Sequence, residues 1–270
     1  MNQKATVRRI EGTVMKVNSY VIEHPAGAVV VDGMLSVTDA RAVRAHLDAT
    51  KLPILGAVVT HAHPDHYAGL AELLRGHDVP VYATPAVSSA IQRDDAVKNA
   101  IVGPMLGTEW PAERRFPDRE VTSGATAVFA DGAMELRVRD LGPGESPADS
   151  IWSLDQHTWF VGDLVYNGMH AYLADGHYAA WLQVLARLEQ ELEPDATLYV
   201  GHGAPGAPKA LIETQRRYVQ AFVQSVERHR QLAPEPRRAS VVADMRRLLP
   251  TDDLLFLMEL SVDPVAATLR

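Results

Sequence analysis

The pattern of hydrophobic and polar positions divides the chain into short strand-like runs and longer helix-like runs. Short apolar runs bounded by Gly, Pro or Asp are typical of strands, and apolar residues three and four apart are typical of helices. This pattern predicts strands over residues 7–10, 14–23, 28–33, 54–60, 80–83 and 197–200, with alternating strand patterns within 121–140 and 151–162. It predicts helices over residues 37–49, 67–75, 85–100 and 181–192, and a mainly helical chain from residue 209 onwards.

The order of these elements indicates the architecture. Strands followed by helices occur twice along the chain, and each half places polar, ligand-type residues at strand ends. This order predicts an α/β fold of two packed sheets covered by helices, with a functional site along one edge of the sheets. A proline-rich stretch from Gly103 to Asp118 predicts a long loop with an exposed Trp110. We expect this loop and the C-terminal helices to border the pocket and to set substrate choice.

The segment His61-Ala62-His63-Pro64-Asp65-His66 carries the strongest chemical signal in the chain. It lies on a strand-to-helix connection, where α/β scaffolds usually present functional groups. Imidazole nitrogens and carboxylate oxygens suit zinc and its neighbours in the first transition row. His61 and His63 point the same way along an extended segment and can share one cation. Asp65 and His66, past the bend at Pro64, are directed at a second cation.

Composition narrows the classes of partner and ligand. The 270 residues are 47% hydrophobic and 22% charged, as in an ordinary globular protein long enough for one large domain or two small ones. The formal net charge of −8 argues against nucleic acid as the main partner. We expect a cytoplasmic location and no membrane partner, since neither a signal core nor a membrane-spanning run is visible. The sequence has no cysteine, which leaves His, Asp and Glu as the strong metal ligands.

Three further ligand-type residues follow predicted strands or tight turns. Glu145 lies in a Gly-Pro-Gly-Glu-Ser-Pro turn, Asp163 ends an apolar strand, and His202 stands between two glycines that allow close backbone approach. Each of them alone is more typical of a turn, a cap or a solvated side chain. Together with the first cluster they indicate one metal site assembled from both halves of the chain.

With this ordered set the chain resembles the metallo-β-lactamase superfamily, the αββα hydrolases that include hydroxyacylglutathione hydrolases and lactonases. The resemblance extends from the strand that ends at Asp32-Gly33 to His202. It implies a four-layer αββα sandwich over residues 1–207, with a C-terminal helical extension over residues 208–270 packed on it. It also implies two divalent metal ions, with zinc expected first and manganese or iron as alternatives.

The same resemblance implies a ligand set drawn from both halves of the chain. Superfamily members usually carry a histidine, within a Gly-His-Thr/Ser-Pro-Gly turn, where this chain has Glu145. We expect Glu145 to bind the first metal through one carboxylate oxygen, and the loading and identity of that metal stay open. The other implied ligands are His61 and His63 for the first metal, Asp65, His66 and His202 for the second, and Asp163 as a bridge between them.

The ligand types indicate hydrolysis of a small-molecule substrate by an enzyme. Two neighbouring cations make a shared water acidic enough to act as hydroxide at neutral pH. We expect that hydroxide to attack an ester, thioester, lactone or related bond, with Asp65 orienting it or passing a proton to the leaving group. Tyr166, His170 and Tyr172, which follow Asp163 in the sequence, are candidate groups around the substrate or behind the metal ligands.

Other functions fit parts of the pattern. An iron-dependent redox enzyme of the same fold is one alternative, because a His/Asp/Glu set without sulfur tolerates iron. A binding protein that kept the fold and lost catalysis is another, with Glu145 as the suspect change. Nucleic-acid hydrolysis is disfavoured by the acidic charge. The sequence does not indicate an oligomeric state.

Overall fold

Two β-sheets packed face to face form the centre of the computed structural model, which describes residues 5–269. Residues 1–4 and residue 270 lie outside the described range. The expectation that the chain carries no signal core rests partly on residues 1–4. The two sheets contain six and five strands. The element bounds below therefore refer to the described part of the chain.

The first sheet changes from antiparallel to parallel pairing across its width. In their order across the sheet, its strands are β1 (Thr6–Glu11), β2 (Asn18–His24), β3 (Gly27–Val31), β4 (Ile54–Val58), β5 (Val81–Ala83) and β6 (Arg119–Glu120). β1 to β3 pair antiparallel, and β3 to β6 pair in parallel. The continuous apolar run of β3 follows from burial on both sides, because Val29 and Val31 enter one core while Ala28 and Val30 enter another.

The second sheet comes from the later half of the chain. Its strands are β7 (Thr126–Phe129), β8 (Met134–Gly142), β9 (Asp149–Asp155), β10 (Thr158–Tyr166) and β11 (Thr197–His202). β7 to β10 form an antiparallel meander, and β11 pairs in parallel with β10 at the edge of the sheet. The ends of β10 and β11 therefore lie side by side, at the same end of the sheet.

Helices cover the outer face of each sheet. The helices are α1 (Val37–Thr50), α2 (Pro64–Tyr67), α3 (Leu70–Leu73), α4 (Pro85–Leu106), α5 (Tyr178–Glu191), α6 (Pro208–His229), α7 (Pro234–Leu248) and α8 (Leu255–Thr268). One core joins the first sheet to α1, α3 and α4, a second lies between the sheets, and a third joins the second sheet to α5 through α8. The four-layer αββα sandwich that the sequence predicts is thus confirmed.

Polar contacts bind the two sheets together at one end. Ser150 Oγ donates to the Thr60 carbonyl at 2.6 Å, and the Trp152 indole donates to the Val59 carbonyl at 3.2 Å. On the other side, the Asn18 side-chain amide donates to the carbonyls of Val200 and Gly203 at 2.9 and 2.7 Å. These buried bonds fix the strand ends of one sheet against those of the other.

The stretch that the sequence predicts as a loop from Gly103 begins as helix instead. α4 continues through Pro104 to Leu106, and a 3-10 turn follows at Gly107–Glu109. Proline removes only one backbone hydrogen bond here, within the last turns of the helix. Packing outweighs that loss, since Val102 and Leu106 lie against a small apolar cluster around Trp110.

The expectation that Trp110 is exposed is wrong. Its side chain is buried, with 7% of its surface accessible. The indole N–H donates to Asn99 Oδ1 at 2.6 Å, and the Arg114 guanidinium lies 4.2 Å from the ring centroid. A tryptophan among prolines therefore anchors the segment after α4 rather than standing in solvent.

The C-terminal helices share their core with the second sheet. Phe222 and Val226 of α6 are fully buried in the same cluster as Val165 of β10 and Leu185 of α5. The division of the chain at residue 207 stays a prediction, but the hydrophobic core is continuous across it. Within residues 5–269 no helix combines the length and apolar character needed to cross a bilayer.

We expect Phe222→Ala to lower the free energy of unfolding by about 3–5 kcal/mol, because the change leaves a cavity in this shared core. Gln220→Ala, at an exposed position of the same helix, should change it by less than about 0.5 kcal/mol. Denaturant unfolding of both variants measures the difference. Equal stability of the two variants would mean that α6 does not belong to the main core.

Candidate metal centre

The first group of ligand-type side chains lies where β4 leads into α2. His61 bridges to the second sheet through a backbone pairing with Asp149, and His63 has the extended backbone of an N-cap residue. Pro64 opens α2 at a position where proline is well tolerated. Asp65 and His66 follow in the first turn of the helix. The change from extended chain to helix therefore lies between these two residues and the pair His61 and His63.

Three side chains form one group of potential ligands. The ligand atoms of His61, His63 and Glu145 lie within 4.8 Å of one another, and all three side chains are buried. Glu145 Oε2 lies 2.8 Å from His63 Nδ1 and 3.7 Å from His61 Nε2. The structure therefore brings Glu145 beside the two histidines.

Four side chains form a second group beside the first. Asp65, His66, Asp163 and His202 offer buried ligand atoms that also lie within 4.8 Å of one another. Asp163 Oδ1 lies 3.2 Å from His66 Nε2, and its Oδ2 lies 3.2 Å from His202 Nε2 and 3.9 Å from His61 Nε2. Asp163 therefore stands between the two groups, as the resemblance implies for a bridging carboxylate.

Several of these atoms are buried without a hydrogen bond of good geometry in the described structure, although two pairs of them lie at ion-pair distance. They are His61 Nε2, His66 Nε2, Glu145 Oε2 and Asp163 Oδ1. An unpaired buried polar atom costs free energy, so such atoms require an explanation. Imidazole and carboxylate atoms that converge in one small region are the ligand types that divalent cations bind. The residues present therefore fit two metal ions.

Burial lowers the pKa of His61, whereas neighbouring carboxylates overcome the effect of burial and raise the pKa of His63, His66 and His202. His202 and His66 hold the pKa of Asp163 well below its usual range, in spite of its burial. Burial lowers the pKa of His63 and His202, but neighbouring carboxylates, chiefly Glu145 and Asp163 respectively, raise each of them to about 10. Burial raises the pKa of Glu145 to about 7, although His63 opposes the change. A cation that binds here takes the place of protons on imidazole nitrogens.

Each of the four histidines is also held through its other ring nitrogen. Such contacts fix the tautomer and orientation of a ligand ring. Of the four partners, Asp32 is visible in the sequence only as a strand end, and the main-chain carbonyl of Met15 leaves no signal in a sequence. The contacts are His61 Nδ1 to Thr60 Oγ1 at 3.0 Å, His63 Nε2 to Asp175 Oδ2 at 3.0 Å, His66 Nδ1 to Asp32 Oδ2 at 2.8 Å and His202 Nδ1 to the Met15 carbonyl at 3.0 Å.

The two tyrosine candidates lie at the centre. The Tyr166 hydroxyl is 2.7 Å from Asp163 Oδ2 and 3.0 Å from Glu145 Oε1, and its ring stacks on His202. Its proton is therefore directed at the carboxylates. The Tyr172 ring meets His63 edge-on, with 5.3 Å between the ring centroids.

His170 is not brought to the metal-binding groups. Its ring nitrogens face the Tyr218 hydroxyl at 2.8 Å and the Thr251 carbonyl at 3.1 Å. Nearby, the Leu173 N–H bonds to Ser261 Oγ at 2.8 Å. This part of the connection after β10 joins the C-terminal helices rather than the candidate centre.

Comparison with known protein sequences points to one protein family. A sequence model described as the metallo-beta-lactamase superfamily matches residues 12–202. Similar curated proteins include a hydroxyacylglutathione hydrolase from Alkalilimnicola ehrlichii, 35% identical over 36% of this chain and 37% of its own length. Another, from Shewanella baltica, is 30% identical over 61% of this chain and 53% of its own length. The match thus spans about half or less of these relatives.

Solved structures show the same fold at low sequence identity. A beta-lactamase domain protein from Burkholderia ambifaria is 24% identical and has a TM-score of 0.65, with 96% of this chain and 84% of that chain covered. A metallo-beta-lactamase family protein from Thermus thermophilus is 19% identical and has a TM-score of 0.69, with 97% and 93% covered. These likenesses concern the arrangement of sheets and helices.

We expect Gly201→Ala to lower the metal content of the protein. A Cβ at residue 201 would overlap Asp163 Oδ1 and would lie 2.9 Å from His66 Cε1, so the bridging carboxylate would have to move. The matched control is Gly206→Ala, whose Cβ would meet only the flexible side chain of Leu211, at 3.2 Å. Metal analysis after equilibration with zinc, alongside circular dichroism, measures the effect. Full metal content in a folded Gly201→Ala protein would contradict the position assigned to Asp163.

Proposed function

Because the chain belongs to the metallo-β-lactamase superfamily, we propose that it is a hydrolase whose two ligand groups each hold a divalent cation, zinc in the first instance. The observation that carries the proposal is the convergence of seven buried imidazole and carboxylate side chains in two adjoining groups. His61, His63 and Glu145 would hold one cation, and Asp65, His66 and His202 the other. Asp163 would be shared between them.

The chemistry at such a centre is addition of water to an acyl group. When bound, paired divalent cations supply an acidified water molecule and an electrophile for the oxygen that gains charge. The protein supplies position: four oriented histidines, a carboxylate between the groups, and burial that excludes bulk water. We infer an ester, thioester or lactone as the bond cleaved, and the names of the hydroxyacylglutathione hydrolase relatives support this class.

Asp65 is the residue best placed to move a proton. Its Oδ2 lies 3.2 Å from His202 Nε2 and 3.5 Å from His66 Nε2, and its side chain also lines the adjoining cavity. A carboxylate in that place accepts a proton as water adds and returns it to the leaving group. Substrate, nucleophile and Asp65 would then share one face of the centre.

Iron-dependent redox chemistry is the second candidate, and Glu145 is the observation that favours it. Glu145 gives the group with His61 and His63 a carboxylate, which is a harder ligand than an imidazole, and the chain has no cysteine to offer sulfur. Such a group is more tolerant of iron or manganese. Oxygen uptake by iron-loaded protein, measured beside hydrolysis by zinc-loaded protein, separates the two functions. A small molecule as substrate belongs to either proposal, and location in the cytoplasm stays a prediction from sequence.

The hydrolase proposal is tested by metal analysis and a panel of esters, thioesters, lactones, β-lactams and phosphodiesters. We expect Asp163→Ala and His202→Ala each to lose bound metal and at least about 100-fold in kcat/KM, because a lost ligand should cost no less than a lost outer contact. Asp195→Ala, on the exposed surface, serves as the control and should keep both. Normal metal content and turnover in either ligand variant would remove that residue from the centre.

We expect Glu145→His to bind zinc more tightly and to shift the pH–rate profile to lower pH. In the natural chain three carboxylates (Asp65, Glu145 and Asp163) would face two cations. The substitution would leave two carboxylates facing the same two cations. A more positive centre makes the activated water more acidic, so the rate should rise at lower pH. Zinc titration and kcat/KM against pH measure both effects. An unchanged profile together with unchanged zinc affinity would place Glu145 outside the ligand set.

A further inference from the structure

A cavity of about 460 Å³ adjoins the candidate centre, and its wall is mostly aliphatic. His63, Asp65, Glu145 and Asp163 lie at its inner end. Its sides come from α4, through residues such as Ile101 and Met105, and from α8, through residues such as Phe256 and Leu260. A volume of this size is typical of a small-molecule site.

Large apolar side chains are exposed where this cavity opens. Ile101 is 61% exposed, Met105 71%, Phe256 47% and Leu260 59%. Of the eight large hydrophobic residues that are exposed in the described part of the chain, these four line this one cavity. Folding alone does not account for such a concentration, and clustered exposed apolar surface marks a binding site.

Charged groups are scarce in the rest of the wall. Apart from the metal-group side chains at the inner end, the described wall residues include one cation, Lys98, and one anion, Asp175. The Lys98 ammonium donates to the Ala62 carbonyl at 2.5 Å, and Asp175 Oδ2 lies 3.0 Å from His63 Nε2. Both groups are thus already engaged within the protein.

We propose that this cavity binds the apolar acyl or alkyl part of the substrate, and that the substrate is not a glutathione conjugate. The inference rests on the proposed hydrolase function and names a substrate class for it. Glutathione carries two carboxylates and an ammonium group, which require paired charges when they leave water. Apart from the metal-group side chains, this wall offers a single cation, already hydrogen-bonded, and two rows of apolar side chains. An alkyl chain instead covers the exposed residues of α4 and α8.

The first experiment measures how chain length affects catalysis and binding by the zinc-loaded protein. In the series of 4-nitrophenyl esters from acetate to decanoate, kcat/KM should rise about tenfold for each two carbons until the cavity is filled. A hydroxyacyl thioester of glutathione should fall below the decanoyl ester. Calorimetric binding of decanoate and butyrate, which carry the same carboxylate, tests the cavity without turnover. Decanoate should bind at least tenfold more tightly.

A matched pair of variants locates the effect. Ile101 and Val97 lie one turn apart on α4 and are both 61% exposed, but only Ile101 lines the cavity. Ile101→Gln should weaken decanoate binding about fivefold, leave butyrate binding unchanged and keep full metal content. Val97→Gln should leave all three unchanged. Adding Leu260→Gln to Ile101→Gln should deepen the loss for decanoate only.

The outcomes separate this inference from the function on which it rests. Tight binding of decanoate that depends on Ile101, in a protein that hydrolyses no member of the panel, supports the apolar cavity and overturns the hydrolase. Hydrolysis with no dependence on chain length, or with the glutathione thioester preferred over every acyl ester, supports the hydrolase and overturns the apolar substrate. Equal effects of Ile101→Gln and Val97→Gln also overturn it.

Discussion

The placement of Asp163 between two groups of buried ligands is the constraint on which the arrangement of the two sheets depends. The carboxylate comes from the second sheet, yet it lies 3.2 Å from His66, which follows the first. Such an approach leaves no room for side chains at the crossing. A Cβ at Gly162 would lie 2.6 Å from Thr60 Oγ1, and a Cβ at Gly201 would overlap Asp163 itself. Gly162 leaves room for the first sheet, and Gly201 leaves room for the Asp163 side chain from the neighbouring strand of its own sheet.

Much of the centre can be predicted from the sequence because its signals are local. Four ligand-type residues fall within six positions around Pro64, and each later candidate follows an apolar run or a tight turn. The parallel pairing of β10 with β11 then brings Asp163 beside His202, although β10 continues past Asp163 to Tyr166 instead of ending there as the sequence predicts. The layers of the fold follow from the same alternation of strand and helix patterns.

The parts that escape prediction depend on contacts between distant residues. Trp110 reads as exposed among prolines, and its burial becomes clear only with Asn99 and Arg114 in place. Asp175 belongs to the candidate groups that follow Asp163 in the sequence, but nothing in the sequence indicates that it orients His63, 112 positions away. The aliphatic wall likewise combines α4 and α8, which lie about 150 residues apart and carry no shared motif.

The junction around His170 makes the C-terminal helices part of the ligand geometry. The connection after β10 bonds to Thr251 and Ser261 at one end and, a few residues later, carries Asp175, which holds His63. α8 supplies the cavity wall from the same C-terminal segment. A displacement of Ser261 would therefore reach Asp175 and, through it, His63, whereas a change confined to the side chains of the cavity wall would not. The C-terminal helices thus have two separable parts: polar groups that hold the connection behind His63, and apolar side chains that bound the cavity.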